Sequence, residues 1–229
     1  MKTPKHFKEW FDGWPQLVCF DLDGTLIDSV PDLTIAIDAF LLEQGKTLAG
    51  EERIRQWIGL GVAKLVTQAM EWANIDTNLH EHCYRIFLVT YQKNLTKNTV
   101  IYPHVKDLLN AFKVNKVPMA LITNKPSVFV RPILDHFELT NYFAWILAAD
   151  TLPEKKPSAM PLLYCSDAIE AQSEQCLMVG DSLTDYRAAN AAGFRSAIVT
   201  YGYIKKSILL NLKRMQCLMT WLNFYSSHN

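Results

Sequence analysis

The chain has 229 residues, of which 49% are hydrophobic and 20% charged, with only 9 Gly and 10 Pro. This composition excludes a disordered or collagen-like chain and allows a sizeable core without disulfide or metal staples. Lys+Arg and Asp+Glu both number 23, so the formal net charge is zero and the basic excess of a nucleic-acid binder is missing.

At the start of the chain, residues 1–13 mix Lys2, Lys5, Lys8, Glu9 and Asp12 with aromatic side chains and hold no continuous apolar stretch, unlike a secretory signal. Residues 17–20 are the first of five short apolar runs that predict buried strands; the others are 117–122, 145–148, 176–179 and 197–200. Between 31 and 97 the spacing is helical instead. Leu33, Ile37, Phe40 and Leu41 form one stripe, Ile54, Trp57 and Ile58 another, and Leu65, Val66, Met70 and Ala73 a third. His80 and His82 in this stretch point away from each other on a helix, which predicts solvated surface rather than a metal pair.

Val105, Leu108, Leu109 and Phe112 repeat the helical spacing, and residues 188–192 close on Gly193, a natural helix stop. Alternating strands and helices predict an α/β fold with a mostly parallel sheet covered on both faces and a helical module inserted after the first strand. The longest wholly apolar run, 143–149, is far short of the ~20 residues that span a bilayer, so no membrane span is expected. Cys19, Cys83, Cys165, Cys176 and Cys217 are odd in number and form no C-x-x-C pair, which predicts isolated thiols in a reducing cytosol.

Chemistry gathers where the predicted strands end. The first closes on Asp21-Leu22-Asp23-Gly24-Thr25, and in extended backbone Asp21 and Asp23 share a face. Close carboxylates repel unless a cation or proton sits between them, so the pair points to Mg²⁺ or acid–base work; a turn capped by two Asp side chains is the plainer alternative. A calcium loop of the EF-hand type is excluded, because counting from Asp21 the required Gly and Glu positions hold Leu26 and Asp32. The second motif is Thr123-Asn124-Lys125-Pro126, whose hydroxyl and amide can donate to a phosphoryl oxygen or simply cap a helix. Lys155-Lys156-Pro157 alone reads as solvated surface. The fourth strand closes on Gly180-Asp181-Ser182-Leu183-Thr184-Asp185, whose carboxylates can cap a helix or complete an oxygen-rich metal site.

In order and placement, Asp21-x-Asp23-Gly24-Thr25, Thr123, Lys156 and Gly180-Asp181-x-x-x-Asp185 resemble the four motifs of the haloacid dehalogenase superfamily of phosphatases. Within it the chain is most similar to the bacterial phosphoglycolate phosphatases, through residues 24–33, 57–61, 121–126, 155–157 and 201–203. The resemblance implies a Rossmann-like parallel-sheet core from 1–30 and 98–229 and an inserted helical cap domain from 31–97. It implies a Mg²⁺-dependent phosphomonoester hydrolase that takes 2-phosphoglycolate to glycolate and phosphate. Asp21 would be the nucleophile, forming an aspartyl-phosphate, and Asp23 the general acid and base. Thr123, Asn124 and Lys156 would bind the phosphoryl oxygens. Asp21, the Asp23 carbonyl and Asp181 would hold the metal, with Asp185 orienting its waters or Lys156. Gly59 and Gly61 would lie in the cap loop that faces the substrate. A carboxylate-bearing substrate needs one further donor, from backbone amides at Gly59–Gly61 or from Lys64. The implied partner is a small phosphorylated metabolite, not nucleic acid, met in the cytoplasm by a monomer or homodimer.

Rival readings are a capped sugar-phosphate phosphatase or phosphomutase of the same superfamily, or a catalytically silent binding protein. A dehalogenase is disfavoured by Asp23. The likeness ends at Tyr203, and residues 204–229 form an atypical tail. There Ile208, Leu212, Met215, Met219 and Leu222 recur at helical spacing, which predicts a docked amphipathic helix. A membrane-surface or partner helix, or a C-terminus altered by a reading-frame change, are the alternatives for that tail.

Overall fold

The computed structural model describes residues 5–203 together with Leu218–Met219. Its centre is a six-stranded sheet in which every neighbouring pair is parallel. The strands are β1 (Leu17–Phe20), β4 (Met119–Ile122), β5 (Trp145–Leu147), β6 (Cys176–Gly180), β7 (Arg195–Val199) and β8 (Leu218–Met219), in the spatial order β5-β4-β1-β6-β7-β8. Strand β1 is buried at all four positions because it lies mid-sheet with helices over both faces. Alternation along the strands divides the core in two. Val18, Phe20, Leu121 and Val179 enter one hydrophobic cluster, while Leu17, Cys19, Ala120, Ile122 and Met178 enter the other.

Helix α1 (Lys5–Phe11) precedes the sheet and packs Phe7 and Phe11 into the first cluster, with Phe7 and Trp14 against Phe112. On the core side α6 (Val105–Val114) precedes β4, and α7 (Ser127–His136), α8 (Met160–Asp167) and α9 (Leu183–Ala192) follow β4, β5 and β6 in turn. Helix α6 buries Val105, Leu108, Leu109 and Phe112, the stripe read from the sequence. Helix α9 ends at Gly193 in the left-handed region (φ 74°), as a Gly stop requires.

The insertion is helical throughout: α2 (Val30–Glu43), α3 (Gly50–Trp57), α4 (Val62–Trp72) and α5 (His80–Asn94). Leu33, Ile37, Phe40 and Leu41 of α2 are buried, as are Leu65, Val66 and Met70 of α4 and Cys83, Phe87 and Tyr91 of α5. In the second stripe only Ile54 is buried, Trp57 and Ile58 being half-buried. His80 stacks on Tyr84 while His82 meets Glu43 at 2.5 Å, so the two histidines serve different neighbours.

A two-stranded antiparallel ladder, β2 (Ile27–Asp28) with β3 (Val100–Ile101), ties together the two crossings between sheet and insertion. Beside it the buried Asp32 carboxylate accepts from the backbone N–H groups of Asn98 and Thr99 at 2.8–3.0 Å and from both side chains at 2.9 and 2.7 Å. Removing that acceptor strands the two buried Thr99 donors, so Asp32→Ala should lower unfolding stability in urea by about 2–4 kcal/mol. It should also loosen the cap crossings without touching the sheet.

One expectation is corrected. Met219 belongs to a parallel strand, with Ile198 opposite Leu218 and Val199 opposite Met219, rather than to a helical seam. The pairing satisfies the backbone groups that β7 would otherwise present at a sheet edge, which outweighs a local helical spacing. The rest of that seam, Ile208, Leu212, Met215 and Leu222, lies outside the described residues, as does Cys217.

Candidate active site

Strands β4, β1 and β6 lie side by side, with Phe20 level with Leu121 and with Val179, so they end at one edge. Asp21, Thr123 and Asp181, one or two residues further on, are thereby brought together from positions far apart in sequence. This is the carboxyl edge of an open parallel sheet, where ligands of such folds bind.

Asp21 is held by one oxygen. Its Oδ1 accepts from the backbone N–H of Leu22 at 2.7 Å and meets the Lys156 ammonium at 2.9 Å, while no partner holds Oδ2 among the described residues. Asp181 accepts from the backbone N–H of Tyr203 at 2.6 Å and from the Thr25 hydroxyl at 3.5 Å. Asp185 closes the group. One oxygen takes Lys156 at 2.6 Å, and the other accepts from Ser182 N–H at 3.0 Å, Ser182 Oγ at 2.6 Å and Asp181 N–H at 3.2 Å. Ser182 returns the favour as N-cap of α9 through Asp185 N–H, a capping box that fixes the carboxylate. Glycine is needed nearby. A Cβ at Gly24, whose φ is +83°, would collide with the Asp181 carboxylate, and one at Gly180 would collide with Asp185.

Asp21, Asp181 and Asp185 each present an oxygen within 4.8 Å of the others, all three buried. Among the described residues one ammonium serves this cluster, that of Lys156, already matched to Asp21 and Asp185. Burial, and then the neighbouring Asp185, push the Asp21 carboxyl up to about 7, against the pull of Lys156. Burial raises Asp181 well above the ordinary range too, with Asp185 and Asp21 adding to it. Burial by itself would lower Lys156, but Asp185 and Asp21 outweigh it and hold its value above that of a free lysine. The cluster thus carries more negative charge than its protein partners offset, the condition under which a hard cation binds oxygen ligands. The donor set fits a metal ion.

Asp23 lines the same narrow cavity as Asp21 but has partners of its own. Its carboxylate meets the Lys125 ammonium at 2.8 and 3.1 Å and accepts from Ser29 Oγ at 2.5 Å. Thr123 Oγ1 accepts from the Lys125 backbone N–H at 3.2 Å, which leaves its own proton available. The Asn124 side-chain nitrogen donates to the Lys156 carbonyl at 2.9 Å and the Gly59 carbonyl at 3.2 Å, fastening the α3–α4 loop of the insertion to the sheet edge. Asp21, Asp23, Thr123, Asn124, Gly59 and Gly61 all line one narrow cavity of about 40 Å³. Lys156, Asp181 and Asp185 meet Asp21 from outside it. A larger cavity of about 310 Å³ shares Asp23, Ile58 and Gly59 with it and reaches Arg55, Asp181 and Tyr203. Lys64 pairs with Glu71 on the surface and lines neither.

The sequence reading gives three residues of this region no role of their own, although Lys125 and Tyr203 stand in stretches that carry the resemblance. Lys125 is buried in the narrow cavity against Asp23, and its only signal was a lysine standing directly after Thr123-Asn124 at a strand end. Arg55 pairs with Asp28 at 2.9 Å and lies 5.3 Å from the Tyr203 ring centroid. Tyr203 in turn donates its hydroxyl to Asp28 at 3.1 Å and accepts from Ser29 N–H at 3.1 Å. No helix among the described residues is long and apolar enough to cross a membrane.

Known proteins resemble this chain in sequence and in fold. A phosphoglycolate phosphatase of Pseudomonas putida is 46% identical over 202 residues, 86% of this chain and 74% of that protein. Phosphoglycolate phosphatase 1 of Pseudomonas aeruginosa is 47% identical over 193 residues, 82% and 71% of the two chains. A solved structure from Haemophilus somnus, described as a predicted phosphoglycolate phosphatase, superposes with a TM-score of 0.86 at 32% identity, covering 93% of this chain and 98% of its own. Residues 18–199, which run from β1 to the end of β7 and include every strand-end carboxylate described above, match the haloacid dehalogenase-like hydrolase family. The chain is therefore a member of the haloacid dehalogenase-like hydrolases.

Proposed function

We propose that the protein is a Mg²⁺-dependent phosphoglycolate phosphatase that works through a phosphorylated Asp21. The observation that carries this is the asymmetric tethering of Asp21, a residue that lines the narrow cavity: Oδ1 is fixed by Leu22 N–H and Lys156, which leaves Oδ2 as the attacking atom. Attack by Oδ2 on phosphorus forms the acyl phosphate and releases glycolate, and water then cleaves the P–O bond to give phosphate. Asp23, held by Lys125 and Ser29, gives a proton to the departing alkoxide and takes one from the water. The Thr123 hydroxyl donates to a phosphoryl oxygen. The Asn124 side chain is occupied by two carbonyls, so the phosphoryl group meets its backbone N–H instead. Lys156 fixes Asp21 and offsets phosphoryl charge, while Asp185 fixes Lys156. Asp21, Asp181 and the Asp23 backbone carbonyl would hold Mg²⁺, which when bound neutralises phosphoryl charge beside these carboxylates.

The insertion favours a small substrate. Its wall over the narrow cavity is Leu33, Ile58, Val62 and Leu65, with no hydroxyl or amide side chain to satisfy the hydroxyls of a sugar. Zero net charge agrees with a metabolite rather than nucleic acid. Cys19, Cys83, Cys165 and Cys176 are buried free thiols, which suits a reducing cytoplasm. The domain division at 31–97 has the support of the hinge ladder and the Asp32 clamp.

Phosphate release from phosphoglycolate, glycerol phosphate and hexose phosphates, with and without Mg²⁺, tests the reading. The highest kcat/KM should fall on phosphoglycolate and vanish with chelator. A hexose phosphate turned over far better would replace the substrate while keeping the class.

Metal binding has a separate signature. The Asp21 carboxyl at about 7, raised from 3.8, binds its proton more tightly folded than unfolded. Metal-free stability therefore falls as pH rises through that window, from about 4 to about 7. Mg²⁺ competes with this proton, so its addition should raise Tm more at about pH 8 than at about pH 5. Asp181→Asn should shrink the shift at both.

A further inference from the structure

Phosphoglycolate differs from a plain alkyl phosphate by its carboxylate, and a buried carboxylate needs a cation or donors of its own. Resting on the reading above, we propose that Lys125 is the specificity-determining residue that receives this carboxylate. Among the described residues the site offers few other candidates. Lys156 is matched by Asp21 and Asp185 and lines only the pocket behind Thr123. Lys64 is held by Glu71 outside both cavities. Arg55 is held by Asp28 and lines the larger cavity, on the Asp181 side. Lys155 is exposed; its ammonium stands 3.3 Å from where a Gly61 Cβ would be, and it too lines only the pocket behind Thr123.

Lys125 alone among the described cations lines the narrow cavity with Asp21, Thr123 and Asn124. Its side chain is 2% exposed, so its charge acts with little screening by water. Its position is fixed from two sides. Asp23 takes the ammonium at 2.8 and 3.1 Å, and the Tyr91 ring of α5 lies 4.8 Å from it. An ammonium has three N–H donors, and one shared N–H can serve both Asp23 oxygens, so Lys125 can accept a second anion without leaving the first. The remaining side chains of the wall, Leu33, Ile58, Val62 and Leu65, offer a carboxylate nothing, and Gly59 and Gly61 offer only uncharged backbone N–H groups. A phosphate bound at Asp21 would then point its short acid arm at Lys125, beside the carboxylate that protonates the leaving oxygen. Substrate choice and leaving-group protonation would share one lysine.

The test compares phosphoglycolate with ethyl phosphate, which keeps the two-carbon arm and lacks the carboxylate, using the Mg²⁺-loaded full chain. Lys125→Met, and Lys125→Gln as a second variant that keeps a donor to Asp23, will slow both substrates by loosening Asp23. The informative quantity is the ratio of the two kcat/KM values. It should fall about 10- to 100-fold, mainly through KM for phosphoglycolate. Binding of phosphonoacetate, an unreactive isostere, should weaken by the same factor while binding of ethylphosphonate holds. Arg55→Ala and Lys155→Ala, at exposed or half-exposed positions that do not threaten the fold, should leave the ratio unchanged. A ratio preserved in both Lys125 variants, or lost in either control, overturns the assignment; if those variants do not fold, a wild type that binds phosphonoacetate no tighter than ethylphosphonate overturns it. A wild-type enzyme that does not prefer phosphoglycolate to ethyl phosphate would instead overturn the substrate itself.

Discussion

Asp21→Asn leaves the fold intact and removes turnover by at least ~10⁴-fold, because the amide keeps the shape but loses the oxygen anion that attacks phosphorus. The local structure is prepared for this substitution. Leu22 N–H donates to Oδ1 and can donate to the amide oxygen equally well. Lys156 keeps its contact with Asp185 at 2.6 Å, so its charge stays paired. The substitution also removes one carboxylate from a cluster whose burial already pushes Asp21 and Asp181 upward. Metal-free Asp21→Asn should therefore melt at or above the wild-type temperature at neutral pH. Lost activity with undiminished stability separates a nucleophile from a structural carboxylate. Parallel loss of both would reject that role.

Asp23→Asn should produce a different defect, one that depends on the leaving group. Departure of glycolate needs a proton, whereas nitrophenolate leaves without one. Phosphoglycolate turnover should fall about 10²- to 10⁴-fold. With nitrophenyl phosphate the first step should survive as a burst of nitrophenolate, and the second should stall for want of a base. Phosphorylated protein would then accumulate. An equal loss for both substrates with no burst would remove Asp23 from the proton path and leave it as a tether for Lys125.

Much of this was legible before the structure, and the exceptions have physical reasons. Strand β1 with Asp21 and Asp23 at its end could be read because four consecutive buried positions and a polar stop leave few other foldings. The stripes of α2 and α4 were visible because each buries one face. Strands β2 and β3 have two residues each, too few for any period to register. Lys156 looks like surface beside Lys155, and only its burial against Asp21 and Asp185 sets the two lysines apart. Lys125 escaped for the same reason: a lysine is read as solvated unless a distant carboxylate accounts for it, and Asp23 lies 102 residues away. The cap cation that the sequence offered, Lys64, was plausible by position in the insertion, but its helix turns it toward Glu71 and the surface. Local pattern fixes which faces are buried; it does not fix which charges meet.

The most direct test of the central claim is rapid acid quenching of the Mg²⁺-loaded enzyme mixed with phosphoglycolate radiolabelled at phosphorus. Protein-bound label should appear within the first turnover, be released by hydroxylamine as an acyl phosphate is, and map to the peptide containing Asp21. Phosphate and glycolate released together, with no label on protein at any quench time in wild type or Asp23→Asn, would contradict a phosphorylated Asp21.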